Sequence, residues 1–135
     1  MLDYDEIIEM LDWNNPPEVQ EKGIELARQV KCLNVFLQPF LPNASKSLWE
    51  NCAIVLCEKT DIELRPYLYD LLWWISDLNV PGAELIFERL KKFEFSIVFQ
   101  KKIEKSKLVA IALNDRFLLS LIKEIEESVN KTIEE

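Results

Sequence analysis

The sequence predicts a single all-α domain, residues 1–135, built from antiparallel helix pairs. Three observations predict it. Apolar residues recur at i, i+3, i+4 and i+7 along most of the chain. Only two glycines are present, Gly23 and Gly82, too few for the turns of an all-β fold. Helix start and stop signals recur at short intervals, and helices joined by short connections pack antiparallel. With 135 residues, 49% hydrophobic and 30% charged, the chain falls in the globular range rather than the disordered one.

The first helix places Tyr4, Ile7, Ile8 and Leu11 on one face. Asn14-Asn15-Pro16-Pro17 ends it and starts the second, with a capping asparagine and a proline in the first turn. The second helix, over 17–31, aligns Val19, Gly23, Leu26 and Val30. Gly23 costs it about 1 kcal/mol relative to alanine, which a close helix neighbour would explain. Residues 33–42 form an apolar linker with prolines at 39 and 42. The third helix, over 44–58, aligns Leu48, Cys52, Val55 and Leu56.

Thr60-Asp61-Ile62-Glu63 reads as a capping box. It opens a fourth helix over 62–77 with a core stripe of Leu64, Leu68, Leu71, Leu72 and Ile75. Tyr67 and Trp74 flank that stripe on one side, Tyr69 and Trp73 on the other. A helix apolar nearly all round is expected to be central. Asn79-Val80-Pro81-Gly82 stops it and starts the fifth, whose stripe is Ala83, Ile86, Phe87, Leu90 and Phe93. Residues 95–99 alternate partly, as a strand would. A helix is the preferred reading, because Phe95, Phe99, Ile103 and Ala110 continue one stripe. Asn114-Asp115 caps the last helix, with Leu118, Leu121, Ile122, Ile125 and Val129 as its apolar face and a frayed tail over 130–135.

Leu37-Gln38-Pro39-Phe40-Leu41 echoes Leu64-Arg65-Pro66-Tyr67-Leu68, and the helix starts at 14–17 and 79–81 echo each other. Such echoes within alternating helices suggest an alpha-alpha superhelix of the HEAT or armadillo type, with about three stacked pairs. The run from Leu64 to Ala83, LRPYLYDLLWWISDLNVPGA, resembles the central signature of an uncharacterised family of short bacterial HEAT-like helical domains. The stretches Asn15 to Ala27 and Asn114 to Leu121 fit the same pattern. Val80 and Phe117 stand where that pattern has tryptophan. The resemblance implies a HEAT-like fold and no established activity. Some HEAT-like proteins of this size serve as immunity proteins beside bacterial toxins, an analogy of fold only.

The composition excludes much chemistry. With no histidine, Ser-His-Asp and Cys-His catalysis and His-based metal sites are out. No glycine-rich phosphate loop is present. The carboxylate pairs Glu6/Glu9 and Glu124/Glu127 fall on solvated faces. Catalytic residues, metal and cofactor are therefore all expected to be none. Three unpaired cysteines, Cys32, Cys52 and Cys57, fit small buried hydrophobes in a reducing compartment. Without a basic leader or an 18-residue apolar run, a cytoplasmic location and no membrane contact are expected.

Two surfaces stand out. Asp70, Trp74 and Asp77 fall at i, i+4 and i+7 with Trp73 beside them, a setting for a cationic or Arg/Lys-rich partner. The alternative is that both tryptophans pack inward. The net charge of −8 also suits a basic protein partner. Residues 1–25 hold eight acids against Lys22. Residues 89–107 hold Arg89, Lys91, Lys92, Lys101, Lys102, Lys105 and Lys107 against Glu94 and Glu104. The expected function is a non-catalytic protein-interaction module, in its most concrete form an immunity or antitoxin-like protein masking a basic partner. The alternative is nucleic-acid binding through Lys91, Lys92, Lys101, Lys102, Lys105 and Lys107.

Overall fold

The computed structural model describes residues 3–41 and 45–134, with backbone alone for residues 40 and 132–134. None of the described residues is in a strand. Pro42, the third helix's expected start at residue 44 and the tail's last residue, Glu135, lie outside them. The helices are α1 (Tyr4–Met10), α2 (Pro17–Ala27), α3 (Trp49–Cys57), α4 (Asp61–Leu64), α5 (Leu68–Trp74), α6 (Ala83–Leu90), α7 (Ile97–Ala112) and α8 (Arg116–Glu134).

Local chemistry sets most of the ends. Asp3 caps α1, accepting from the amides of Asp5 and Glu6. Asn15 does not cap α2. Its side-chain amide donates to Glu9 O at 2.7 Å, closing α1, while Pro16 precedes α2 without a side-chain cap. The second helix stops at Ala27, short of residue 31, and tighter turns carry the chain to buried Val30. The apolar linker is coiled into two 3-10 turns, Leu33–Phe36 and Gln38–Phe40. A third such turn, Lys46–Leu48, leads into α3.

The Thr60–Glu63 capping box forms in full. The fourth helix expected over 62–77 is nevertheless three pieces: α4, a 3-10 turn over Arg65–Tyr67, and α5 ending at Trp74. Pro66 has no amide to continue the i to i−4 ladder, so the chain tightens around it. Pro39 sits at the same place in the Gln38–Phe40 turn, so the two echoing segments share a local shape. Residues 95–99 form no strand, but the helix expected there begins only at Ile97: exposed Phe95 precedes it, and extended Ser96 caps it by accepting from the Phe99 amide at 3.0 Å. Asn114 adopts a left-handed φ of 55°. The amides of Asn114 and Asp115 then reach Ile111 O and Ala110 O, a Schellman closure of α7. Asp115 caps α8 by accepting from the Leu118 amide. α8 runs to Glu134, through most of the tail over 130–135.

One continuous core joins every layer, with Phe36, Leu56, Leu68, Ile75, Ile86, Ile103 and Ile122 among its fully buried side chains. α1 packs on α2, and α7 on α8, as sequence-adjacent pairs. The middle of the molecule is arranged differently. α3 packs on α2 and on α6, while α5 bridges α6 to α7. Gly82 allows α6 to meet α3. It has a φ of 84°, and a Cβ there would lie 2.7 Å from Ala53 Cβ and 3.0 Å from Trp49 O. At Gly23, where close packing was expected, a Cβ would lie 2.8 Å from Met10 Cβ. No helix among the described residues is long and apolar enough to cross a membrane.

Replacing either glycine is expected to weaken the fold. Gly82→Ala combines a left-handed backbone with a clash and should cost about 3 kcal/mol. For Gly23→Ala, overpacking should outweigh the helix-propensity gain, a net loss of about 1 kcal/mol. Urea unfolding followed by circular dichroism checks both. A stability gain for Gly23→Ala would show that α1 does not press on α2 there.

Candidate functional site

Successive residues of an α-helix point about 100° apart, so the neighbours Trp73 and Trp74 cannot both face the core. Trp74 faces in. It is 2% exposed, donates from Nε1 to Pro81 O at 3.1 Å and meets Trp49 edge-on with centroids 6.3 Å apart. Trp73 faces out and is 48% exposed, with Tyr69 one turn earlier at 42%.

Trp73 and Tyr69 form one wall of an open groove of about 370 Å³, with Asp70 beside them. α7 supplies the other wall with Lys105, Ser106 and Val109. Leu72 of α5 and Leu118 and Ile122 of α8 close the base with side chains no more than 4% exposed. The lining is thus chiefly aliphatic and aromatic with a few polar groups, the composition of a ligand or docking site.

The four residues expected to meet a partner are therefore divided. Asp70 and Trp73 share the groove. Trp74 belongs to the core. Asp77 lies beyond the end of α5, where its carboxylate accepts from the Asn79 amide at 2.9 Å and shapes a turn. The i, i+4, i+7 face fails because the helix ends at Trp74.

The six lysines also divide. Lys91, at the end of α6, pairs with Glu88 at 3.0 Å and covers the Phe87 ring. Lys92 lies by α6 near Arg89, and Lys101 is exposed on α7. Lys107 faces α8 and pairs with Glu126 at 2.9 Å. Lys102 and Lys105 face α5, with ammonium groups 5.4 and 5.5 Å from the Tyr69 ring centre. Of the six, the structure brings Lys102 and Lys105 together over Tyr69 and holds Lys91 and Lys107 in ion pairs.

Glu6, Glu9, Glu124 and Glu127 are all exposed, and no metal-holding cluster of carboxylates and thiols occurs among the described residues. Burial pushes the Cys52 thiol up to about 12 and the Cys57 thiol up to about 11, so neither is a thiolate nucleophile at neutral pH. Burial also acts to raise Glu126, but hydrogen bonds from Gln100 and Lys107 outweigh it and hold the carboxyl below its ordinary value.

Comparison with protein-family models, curated proteins and solved structures finds no match to this chain.

The α7 and α8 contribution to the groove was missed from sequence. A signal was there in Leu108-Val109-Ala110-Ile111-Ala112-Leu113, which is apolar on every face of a helix. Only Ala110 of that run is buried, while Leu108, Val109, Ile111 and Leu113 are 44–67% exposed.

Two outcomes follow. Native protein titrated with a disulfide reagent at neutral pH should show a fast thiol, exposed Cys32, a slow one, half-buried Cys57, and one that reacts only on unfolding, buried Cys52. Fast labelling of Cys52 would place it outside the core. Glu126 has a lowered folded-state pKa, so its stabilisation is present above the ordinary carboxylate range and is lost as pH falls through the folded value. Glu126→Gln should cost about 1 kcal/mol at neutral pH. Melting curves should show that deficit narrowing as pH falls below the ordinary carboxylate range.

Proposed function

We propose that the chain is a non-catalytic protein-interaction module that receives a segment of another protein in the Trp73 groove. One observation carries this reading. A large aromatic side chain stands 48% exposed at the edge of an open apolar groove, although the same helix buries its neighbouring tryptophan. Tryptophan is among the side chains most enriched at binding hot spots.

The α1–α2, α3–α6 and α7–α8 contacts are compatible with three layers of a HEAT-like stack, the fold that the resemblance of residues 64–83 implies. Masking of a toxic partner, as an immunity or antitoxin-like protein does, is a concrete form of this function. The acid surplus supports it, because a basic partner would be attracted to the molecule as a whole. Its local anchor would be Asp70.

A tagged pull-down from the source cells at moderate salt tests the reading. One stoichiometric protein should be retained by the wild type and lost from Trp73→Ala, with the melting temperature unchanged. Retention by Trp73→Ala would remove the groove from the interaction. Loss from Asp70→Lys, with the melting temperature again unchanged, would favour the masked basic partner.

A further inference from the structure

The two walls of the groove have a common spacing. Tyr69 and Trp73 stand one turn apart on α5, and Lys105, Val109 and Leu113 stand one turn apart on α7. Val109 is 44% exposed and Leu113 is 55% exposed, so the apolar rail continues past the groove toward the α7–α8 turn. Rails with a repeat of about 5.4 Å match side chains at i and i+4 of another helix.

The charge on these walls is uneven. Lys102 and Lys105 converge on Tyr69 from α7, and neither has a carboxylate within 4 Å among the described residues. Lys102 donates to a neutral acceptor, Arg65 O, at 2.7 Å. Asp70 is the one carboxylate that lines the groove. Ser106, next to Lys105, is 8% exposed, and its hydroxyl makes no hydrogen bond to another described residue. One end of the apolar groove therefore presents two ammonium groups and a free hydroxyl.

Resting on the groove reading above, we propose that the occupant is an acidic amphipathic helix of a partner protein. Its apolar side chains at i and i+4 enter between Trp73 and Val109. A carboxylate flanking that stripe meets Lys102 and Lys105 over Tyr69. A neutral apolar helix would leave both ammonium groups without a counter-charge at the rim. A basic one would bring like charges together, which is unfavourable at close range.

The test uses three fluorescein-labelled helical peptides of about 16 residues, long enough to be helical in water. All carry the same leucines at i and i+4, and the flanking positions hold Glu, Lys or Gln. Fluorescence anisotropy with the full chain reads binding at about 50 mM and about 300 mM salt. The Glu peptide should bind at least about tenfold more tightly than the Lys peptide, with a preference that shrinks as salt rises. Lys105→Glu should abolish the preference. Lys105 makes no hydrogen bond to another described residue, so the fold is expected to survive, and circular dichroism checks it. Lys102→Glu with Lys105→Glu should reverse the preference. Trp73→Ala should weaken all three peptides alike.

Equal binding of the three peptides would overturn the acidic partner and leave the groove standing. A preference for the Lys peptide would overturn it in favour of a basic partner anchored at Asp70. Failure of every peptide to bind would overturn the groove as a helix-docking site, and the acidic partner with it.

Discussion

Gly82 is the constraint on which the rest of the molecule turns. Its left-handed backbone and missing side chain let the start of α6 lie against Ala53 and the Trp49 carbonyl of α3. Its amide donates to Glu50 at 2.9 Å, and the neighbouring Pro81 carbonyl accepts from Trp74. One corner thus ties α3, α5 and α6 together. It also fixes the rotation of α5. With Trp74 held inward by its ring contact and hydrogen bond, Trp73 must point outward. The candidate site is in this sense a consequence of the core: the same helix turn that anchors the middle layer exposes the tryptophan next in line.

The groove persists as an open feature because its base is rigid and its rim is charged. Leu72, Leu118 and Ile122 belong to the continuous core, so the base cannot collapse without losing packing contacts that stabilise the fold. The Lys102 and Lys105 ammonium groups over Tyr69 add about 0.5–1 kcal/mol each at such exposure. They also keep water and charge beside an aromatic wall that would otherwise be a sticky surface.

Helix content and many of the helix-end signals could be read from the chain, because they rest on local chemistry. The Thr60–Glu63 box, the Asn114-Asp115 junction and the helical state of residues 97–112 all depend on residues a few positions apart. The break at Pro66 could have been read too, but the apolar periodicity across 62–77 is unbroken and concealed it. What could not be read was long-range. Nothing local says that α3 packs on α6, or that α7 and α8 complete a groove begun by α5. Asp70, Trp74 and Asp77 looked coherent because a helix through residue 77 was assumed. Ending that helix three residues earlier removes Asp77 from the face, and the Trp74–Pro81 hydrogen bond removes Trp74.

Net charge and local charge point to different partners. The total of −8 describes the attraction of the molecule seen from afar, and it argues for a basic partner. At physiological ionic strength, however, exposed charges are screened beyond about 8 Å. A side chain seated between Trp73 and Val109 experiences chiefly the groups at the rim, which are Lys102, Lys105 and Asp70. The eight acids of residues 1–25 lie on and around α1 and α2, whose helix contacts are with one another and with α3. They can influence how fast a partner approaches and from which side. In the proposed complex the close-range charges are Lys105 and Asp70 in the groove and Lys102 over its Tyr69 wall. Long-range and local electrostatics therefore favour different partners: the total charge a basic one, the rim of the groove the acidic helix proposed for it.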